Sequence, residues 1–165
     1  MKKIELLAPA GNMESLHAAI EGGCDAIYLG GKSFGARAFS KNFTNEELIQ
    51  AINTAHIYGV KVYVTCNTLV YDDEVEEFLN YIDFLHKNVD AVLIQDLGML
   101  DLVRKTYPNL EVHSSTQMHI HNLDGVKLMQ SLGVKRVVLA RETSFQEIKN
   151  IKNNSDIELE VFVHG

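Results

Sequence analysis

Short runs of apolar and β-branched residues alternate with segments of helical periodicity along the whole chain. Such runs are typical of strands that are buried on both faces of a parallel sheet. The last run shows the period of two expected of a strand, because Glu160, Phe162 and His164 alternate with Val161 and Val163. The pattern predicts seven strands, which are Ile4–Ala8, Ala26–Leu29, Lys61–Asn67, Ala91–Gln95, Glu111–Gln117, Arg136–Ala140 and Leu159–His164.

Six helices are predicted between these strands from apolar residues that repeat at helical spacing. Thr44 with Glu47 forms a capping-box pattern at the start of the second helix, and Ser144 with Glu147 forms another. Glycine commonly ends a helix, and Gly59 follows the second one. The predicted helices are Asn12–Gly22, Thr44–Gly59, Asp73–Lys87, Leu97–Thr106, Asn122–Leu132 and a last helix that begins at Ser144.

The strict alternation of strand and helix predicts an α/β fold with a parallel sheet and right-handed crossovers. An open doubly wound sheet and a (β/α)8 TIM-type barrel both satisfy this pattern, and seven strands make such a barrel incomplete. The first turn, Ala8–Asn12, lacks the GxGxxG sequence of a dinucleotide-binding fold, which favours the barrel. No linker or low-complexity segment interrupts the pattern, so we expect one domain over residues 1–165.

Composition narrows the class of protein. Hydrophobic residues make up 46% of the 165 residues, which is enough for one buried core. The net charge is −7 and no run of lysines or arginines is present, which argues against broad electrostatic binding of a phosphate backbone. The N-terminal residues contain no long apolar run, so we expect no signal peptide, no membrane span and a cytoplasmic location.

The carboxyl ends of the predicted strands are unusually polar, and a barrel carries its active site at these ends. His113, Ser115 and Gln117 alternate along the fifth predicted strand, which would place all three on one face. A water-accessible pocket would remove the free-energy cost of burying them without partners. The candidate catalytic residues are His113, Gln117, Asp96, Glu142 and His164, and the candidate substrate-binding residues are Arg37, Gln95, Ser115, Arg141 and Asn67.

Several of these candidates have alternative explanations that the sequence leaves open. Asp96 precedes a helix and could simply cap it. Arg141 and Glu142 could be a neighbouring surface pair of little energetic value. Arg37 could hold an anionic substrate through a bidentate contact, or it could be a solvated loop charge.

The residues that most often bind metals give no clear pattern here. Cys24 and Cys66 lack CxxC spacing, and Cys66 is better explained as a small buried residue than as a nucleophile. His119 and His121 form an HxH pair without further ligands placed around it, so we predict no metal site in this chain.

Six motifs, taken in order along the chain, resemble the peptidase U32 family, whose members were named collagenase-like proteases. They are Leu6–Gly11, Ala26–Gly31, Phe34–Arg37, Ile94–Gly98, His113–Gln117 and Val138–Glu142. The final residues Glu160–Gly165 resemble the opening of the family signature, which continues into paired cysteines. Phe34–Arg37, Asp72–Glu74 and Ala140–Glu142 are most similar to the family branch that forms 5-hydroxycytidine in ribosomal RNA.

The resemblance implies an N-terminal barrel domain of an enzyme that uses prephenate to hydroxylate a pyrimidine in rRNA or tRNA. Arg37 and Arg141 would bind the prephenate carboxylates, while His113, Gln117, Asp96 and Glu142 would orient substrate or relay protons. An iron–sulfur cluster is implied for the whole protein, held by cysteines after the signature.

Cys24 and Cys66 do not match those cluster positions, so we expect no cofactor in this chain and no activity of the chain alone. A missing C-terminal region would then supply the cluster and help to dock RNA. Open edges of an incomplete barrel also favour a homodimer. The alternative function is a collagenase-like peptidase, for which the sequence offers no HExxH, no GxSxG and no convincing dyad.

Overall fold

The computed structural model describes residues 4–36 and 42–164, and in this part of the chain strands and helices alternate as predicted. Seven parallel strands form one sheet in sequence order. They are β1 (Leu7–Pro9), β2 (Ala26–Leu29), β3 (Lys61–Cys66), β4 (Ala91–Ile94), β5 (Glu111–Ser114), β6 (Arg136–Val138) and β7 (Glu158–Glu160). The sheet is curled, as the hydrogen bond from Arg136 at the start of β6 to Glu5 beside β1 shows. The fold is therefore a seven-stranded, incomplete barrel of the (β/α)8 type.

Helices pack between successive strands, and their ends follow the predicted caps. Thr44 accepts a hydrogen bond from the Glu47 N–H at 3.2 Å, and the Glu47 carboxylate accepts one from the Thr44 N–H at 2.8 Å. Gly59 and Gly133 have φ angles of 72° and 79°, a left-handed conformation that glycine adopts without strain. The helices are α1 (Met13–Glu21), α2 (Asn45–Ile57), α3 (Val75–Leu85), α4 (Leu97–Thr106), α5 (Leu123–Ser131) and α6 (Phe145–Asn154). None of the described helices is both long and apolar enough to cross a bilayer.

Most strands end earlier than the alternation of residues predicts, and the fifth shows why. β5 stops at Ser114, and Thr116–Met118 form a 3₁₀ turn. The Ser115 hydroxyl accepts a hydrogen bond from the Gln117 N–H at 3.3 Å, so a side chain competes with the sheet for the backbone. The prediction that Gln117 continues the strand face of His113 and Ser115 is therefore wrong.

The two faces of the sheet have different surroundings. The outer face, which includes Ile27, Val64 and Val92, packs against buried helix residues such as Leu48 and Phe78 in one continuous core. Full burial of an aliphatic or aromatic side chain of this kind contributes about 1.5–3 kcal/mol.

The inner face carries a small apolar cluster that includes Tyr63, Leu93 and Val138. His113 and Arg136 lie beside it and are themselves buried. Burying polar groups costs free energy unless they are hydrogen-bonded, and both residues bond glutamates on this face.

Candidate functional site

The candidate site lies at the carboxyl ends of the strands, called the mouth below. The mouth consists of the residues that follow the strands, which are Gly30–Ala36, Asn67–Tyr71, Gln95–Asp96, Ser115–His121, Leu139–Thr143 and Val161–His164. Of the ten predicted site residues, Arg37 lies outside the described part of the chain and His113 lies below the mouth, within β5.

Asn67 connects three segments of the mouth through its side-chain amide. Its Oδ1 accepts a hydrogen bond from the Ala36 N–H at 3.1 Å. Its Nδ2 donates to the Ser115 hydroxyl at 3.3 Å, and Ser115 is almost fully buried. Both ends of the amide are therefore occupied by protein groups, and Asn67 fixes the loops after β2 and β5 relative to β3.

The loop after β2 is held in a shape that its sequence does not favour. Phe34 has a φ angle of 57°, and its ring packs edge-on against Phe78 with centroids 5.1 Å apart. The Thr68 hydroxyl donates to the Phe34 carbonyl at 3.3 Å. Phe34 and His119 are the two described residues other than glycine with a positive φ, and both belong to the mouth. Backbone strain of this kind is concentrated at functional sites in proteins.

Asp96 performs the capping role that the sequence left open. Its Oδ1 accepts a hydrogen bond from the Met99 N–H at 3.0 Å, which caps α4. Its Oδ2 accepts from the Val70 N–H at 3.3 Å and so holds the loop after β3 against α4. The neighbouring Gln95 is half-buried.

Arg141 is exposed at the end of β6 and stacks on Phe162, which follows β7. Its guanidinium carbon lies 4.6 Å from the Phe162 ring centre. A cation–π contact at an exposed position contributes about 0.5–1 kcal/mol and restricts where the guanidinium points. Gln117, Glu142 and His164 are also exposed at this end. Phe162 is absent from the predicted site, although its place in the strand alternation could have indicated it.

His113 is separated from the mouth candidates by its partners. It is fully buried, and its Nε2 lies 3.0 Å from Glu111 Oε1, toward the amino ends of the strands. Its ring packs edge-on against Tyr63 with centroids 4.8 Å apart. Burial lowers the pKa of His113, and the Glu111 carboxylate only partly opposes this, so the neutral imidazole is favoured.

A second cluster of charged side chains, which the sequence did not predict, surrounds Arg136 below the mouth. Arg136 Nη1 donates to Glu5 at 2.6 Å, while Nε and Nη2 donate to Glu158 at 3.2 and 2.8 Å. Glu160 lies 3.7 Å from Nη1. We call Arg136 with Glu5, Glu158 and Glu160 the Arg136 cluster. The sequence could have indicated this cluster, because Arg136 and Glu158 are charged residues at the first positions of β6 and β7.

The residues of this chain do not fit the iron–sulfur cluster that the family resemblance implies. Cys24 and Cys66 belong to the buried core of the outer face, and burial raises the pKa of both thiols. Within residues 4–36 and 42–164, no three histidine, cysteine, aspartate or glutamate side chains are grouped so that they could hold a metal ion.

A curled parallel sheet with polar side chains gathered at its carboxyl end is the architecture of the (β/α)-barrel enzymes. The model of the family described as peptidase family U32 matches residues 11–165, and the chain belongs to this family.

Two relatives show how the family members that resemble this chain are named. The chain is 42% identical over 165 residues to tRNA hydroxylation protein P1 of Bacillus subtilis, covering 99% of the chain and 39% of that protein. It is 38% identical over 164 residues to a 23S rRNA 5-hydroxycytidine synthase of Escherichia coli, covering 99% of the chain and 24% of that protein. The chain thus spans less than half the length of these relatives.

The fold likeness extends to solved structures. The structure of a U32 peptidase superposes with a TM-score of 0.74 at 15% sequence identity, covering 98% of this chain and 70% of the other. This likeness confirms the barrel fold that the alternation of strands and helices predicts.

Proposed function

We propose that the chain is the N-terminal barrel domain of an RNA-modifying enzyme that hydroxylates a pyrimidine in rRNA or tRNA. The observation that carries this proposal is the similarity, along 99% of the chain, to relatives named for tRNA hydroxylation and for 5-hydroxycytidine synthesis. The fold supports it, because exposed polar side chains are gathered at the end where barrel enzymes act.

In this proposal the mouth binds prephenate, which serves as the source of the hydroxyl group. Arg141 presents a planar fork that suits a carboxylate, and its contact with Phe162 holds that fork at the mouth. Arg37, outside the described residues, would be a second carboxylate ligand. Gln117, Glu142 and His164 are exposed around them and would orient substrate or carry protons. The iron–sulfur cluster would be held by cysteines that this chain does not contain.

The chain's acidity fits recognition of a base better than recognition of the RNA backbone. With a net charge of −7 it has little to offer to phosphate groups. Single-stranded RNA is commonly read by stacking of unpaired bases on aromatic rings and guanidinium groups. The remainder of the whole protein would then supply most of the affinity for RNA.

A peptidase is the alternative function, and the family's description as peptidase family U32 favours it. The described nucleophile candidates are poorly suited to it. Cys66 is fully buried, and burial raises the pKa of its thiol. The Ser115 hydroxyl accepts hydrogen bonds from Asn67 and from the Gln117 backbone, while the neighbouring His113 binds Glu111.

Mass spectrometry of RNA nucleosides from a strain lacking the gene tests the proposal. We expect loss of 5-hydroxycytidine or of hydroxyuridine, restored by the whole protein and by Lys149→Gln, an exposed change on α6. The Arg141→Gln variant should fail to restore it. An unchanged nucleoside profile in the deletion strain would overturn the proposed function and favour the peptidase. Restoration by Arg141→Gln would overturn only the role of Arg141.

A further inference from the structure

The Arg136 cluster joins the two outer strands of the sheet. Glu5 precedes β1, Arg136 begins β6, and Glu158 and Glu160 lie on β7. We propose that this cluster is a pH-sensitive link between the β1 and β7 sides of the barrel, in which Glu160 carries a proton while the link is intact. The inference is independent of the proposed function, since it concerns the barrel whatever reaction the whole protein catalyses.

The hydrogen bonds of Arg136 leave Glu160 Oε2 without a hydrogen-bond donor among the described residues. The guanidinium bonds Glu5 through Nη1 and Glu158 through Nε and Nη2. Glu160 Oε2 is 3.7 Å from Nη1, which is beyond hydrogen-bond distance. Within the described residues this buried oxygen has no hydrogen-bond partner.

The charge balance of the cluster also favours a protonated Glu160. One guanidinium that already bonds two carboxylates stabilises the more distant Glu160 anion only weakly. Glu160 is largely buried, and its Oε2 accepts no hydrogen bond from the described residues, which favours the neutral, protonated form of this carboxyl. Consistent with this, burial raises the pKa of Glu160 to about 7, and the attraction of Arg136 offsets burial only in part.

The charged and titratable groups of β3 and β5 that lie near the Arg136 cluster do not supply a second cation for Glu160. From β3, the Tyr63 hydroxyl donates to Glu5, and Lys61 lies 3.6 Å from Glu5 with its side chain 56% exposed. From β5, His113 is bonded to Glu111, and burial lowers its pKa so that it stays neutral.

Loss of the Glu160 proton would place a third negative charge beside Glu5 and Glu158. Repulsion would then weaken the contact between the segment before β1 and β7. β7 is also held by a backbone bond from the Leu139 N–H to the Glu160 carbonyl at 3.0 Å. Phe162 is only two residues beyond Glu160, so we expect the proton on Glu160 to affect this side of the mouth as well.

Carbon-13 NMR of the full chain, labelled at the glutamate carboxyl carbons, tests whether Glu160 carries this proton. We expect one carboxyl signal to titrate with a midpoint near pH 7, and we expect that signal to be absent in Glu160→Gln. Titration of every glutamate below about pH 5.5 would overturn the proposal, since that is the ordinary carboxyl range. A neutral-range signal that persists in Glu160→Gln would overturn it as well.

Hydrogen exchange tests whether the proton controls the link. After correction for the intrinsic effect of pH, protection of the Leu139 and Glu158 amides should fall roughly tenfold between pH 6 and pH 8. The Val64 amide, in the middle of the sheet, should not change. Glu160→Gln should abolish the fall, whereas Glu76→Gln, an exposed change on α3, should leave it as in the native chain. An equal fall in the native chain and in Glu160→Gln would contradict the proposal.

Discussion

Polar side chains behave differently at the two ends of the barrel interior. Around Arg136, charged groups bind one another and seal the amino end, with sequence separations as large as 131 residues. At the mouth, side chains such as Arg141 and Glu142 remain exposed. Asn67 and Asp96 accept hydrogen bonds from the backbone of the loops there. The difference separates groups that maintain the fold from groups that are open to a substrate.

The largest expected effect is the loss of Arg136. Arg136→Met would leave Glu5 and Glu158 without their buried cation, and we expect a loss of about 2–4 kcal/mol in the free energy of unfolding. Arg141→Met, the matched change at the mouth, should cost less than about 1 kcal/mol. Urea unfolding at pH 7 measures both. Equal losses for the two variants would remove the distinction between the two ends.

The pH dependence of stability sharpens the same comparison. The folded pKa of Glu160 is raised to about 7, so its contribution is fully present below its ordinary pKa and is lost as the pH rises through 7. The free energy of unfolding of Glu160→Gln, measured relative to that of the native chain, should therefore rise by about 1–3 kcal/mol between pH 5 and pH 8.

Other groups of the interior act on the pH profile in the opposite direction. Burial works to raise the pKa of Glu5, but hydrogen bonds and the charge of Arg136 outweigh it, so the pKa is lowered and the contribution is lost in acid. Only the difference in stability between the native chain and Glu160→Gln isolates the titration of Glu160 from that of the other groups. A constant difference across the range would show that Glu160 does not titrate there.

At the mouth, Asn67→Ala should have a smaller effect on stability and a larger one on function. It removes the bonds to Ala36 and Ser115, and we expect a loss of about 1–2 kcal/mol. Under the proposed function, RNA hydroxylation by the whole protein should fall further than this loss explains, because the loops after β2 and β5 lose the side chain that positions them. Asn80→Ala, an exposed change on α3, is the control. Native activity in Asn67→Ala would place the reaction away from this junction.

The smallest effect is expected for Asp96→Asn. An asparagine caps α4 nearly as well as an aspartate, but its Nδ2 cannot accept the Val70 N–H bond that Asp96 Oδ2 accepts. Stability should therefore fall by about 0.5–1 kcal/mol. If these two backbone bonds are the whole role of Asp96, Asp96→Asn leaves the activity of the whole protein intact, whereas Asp96→Ala, which loses both bonds, should lose about 1–2 kcal/mol. Near-native stability with lost RNA hydroxylation in Asp96→Asn would instead assign a catalytic role to its charge.

Local features of this fold could be predicted because they depend on neighbouring residues. The Thr44 and Glu47 capping box and the bounds Leu97–Thr106 of α4 were predicted correctly. Strand ends were predicted too long, since alternation persists beyond the point where Ser115 turns the chain.

The partners across the barrel could not be predicted from spacing. Asn67 and Ser115 are 48 residues apart, and their meeting depends on how far the sheet curls. The same curl decides that His113 faces Glu111 and Tyr63 below the mouth, while Arg141 and Phe162 meet at the mouth.

The left-handed conformation of Phe34 links the mouth to the outside of the barrel. Its ring contacts Phe78 and Tyr81 on α3, while its carbonyl is held by Thr68 at the mouth. A mutation of Phe78, in the core between sheet and helix, would release the strain at Phe34 and let the loop relax. Under the proposed function, we expect substitutions at Phe78 or Tyr81 to alter substrate preference without touching the substrate, which makes this face of α3 a target for laboratory evolution.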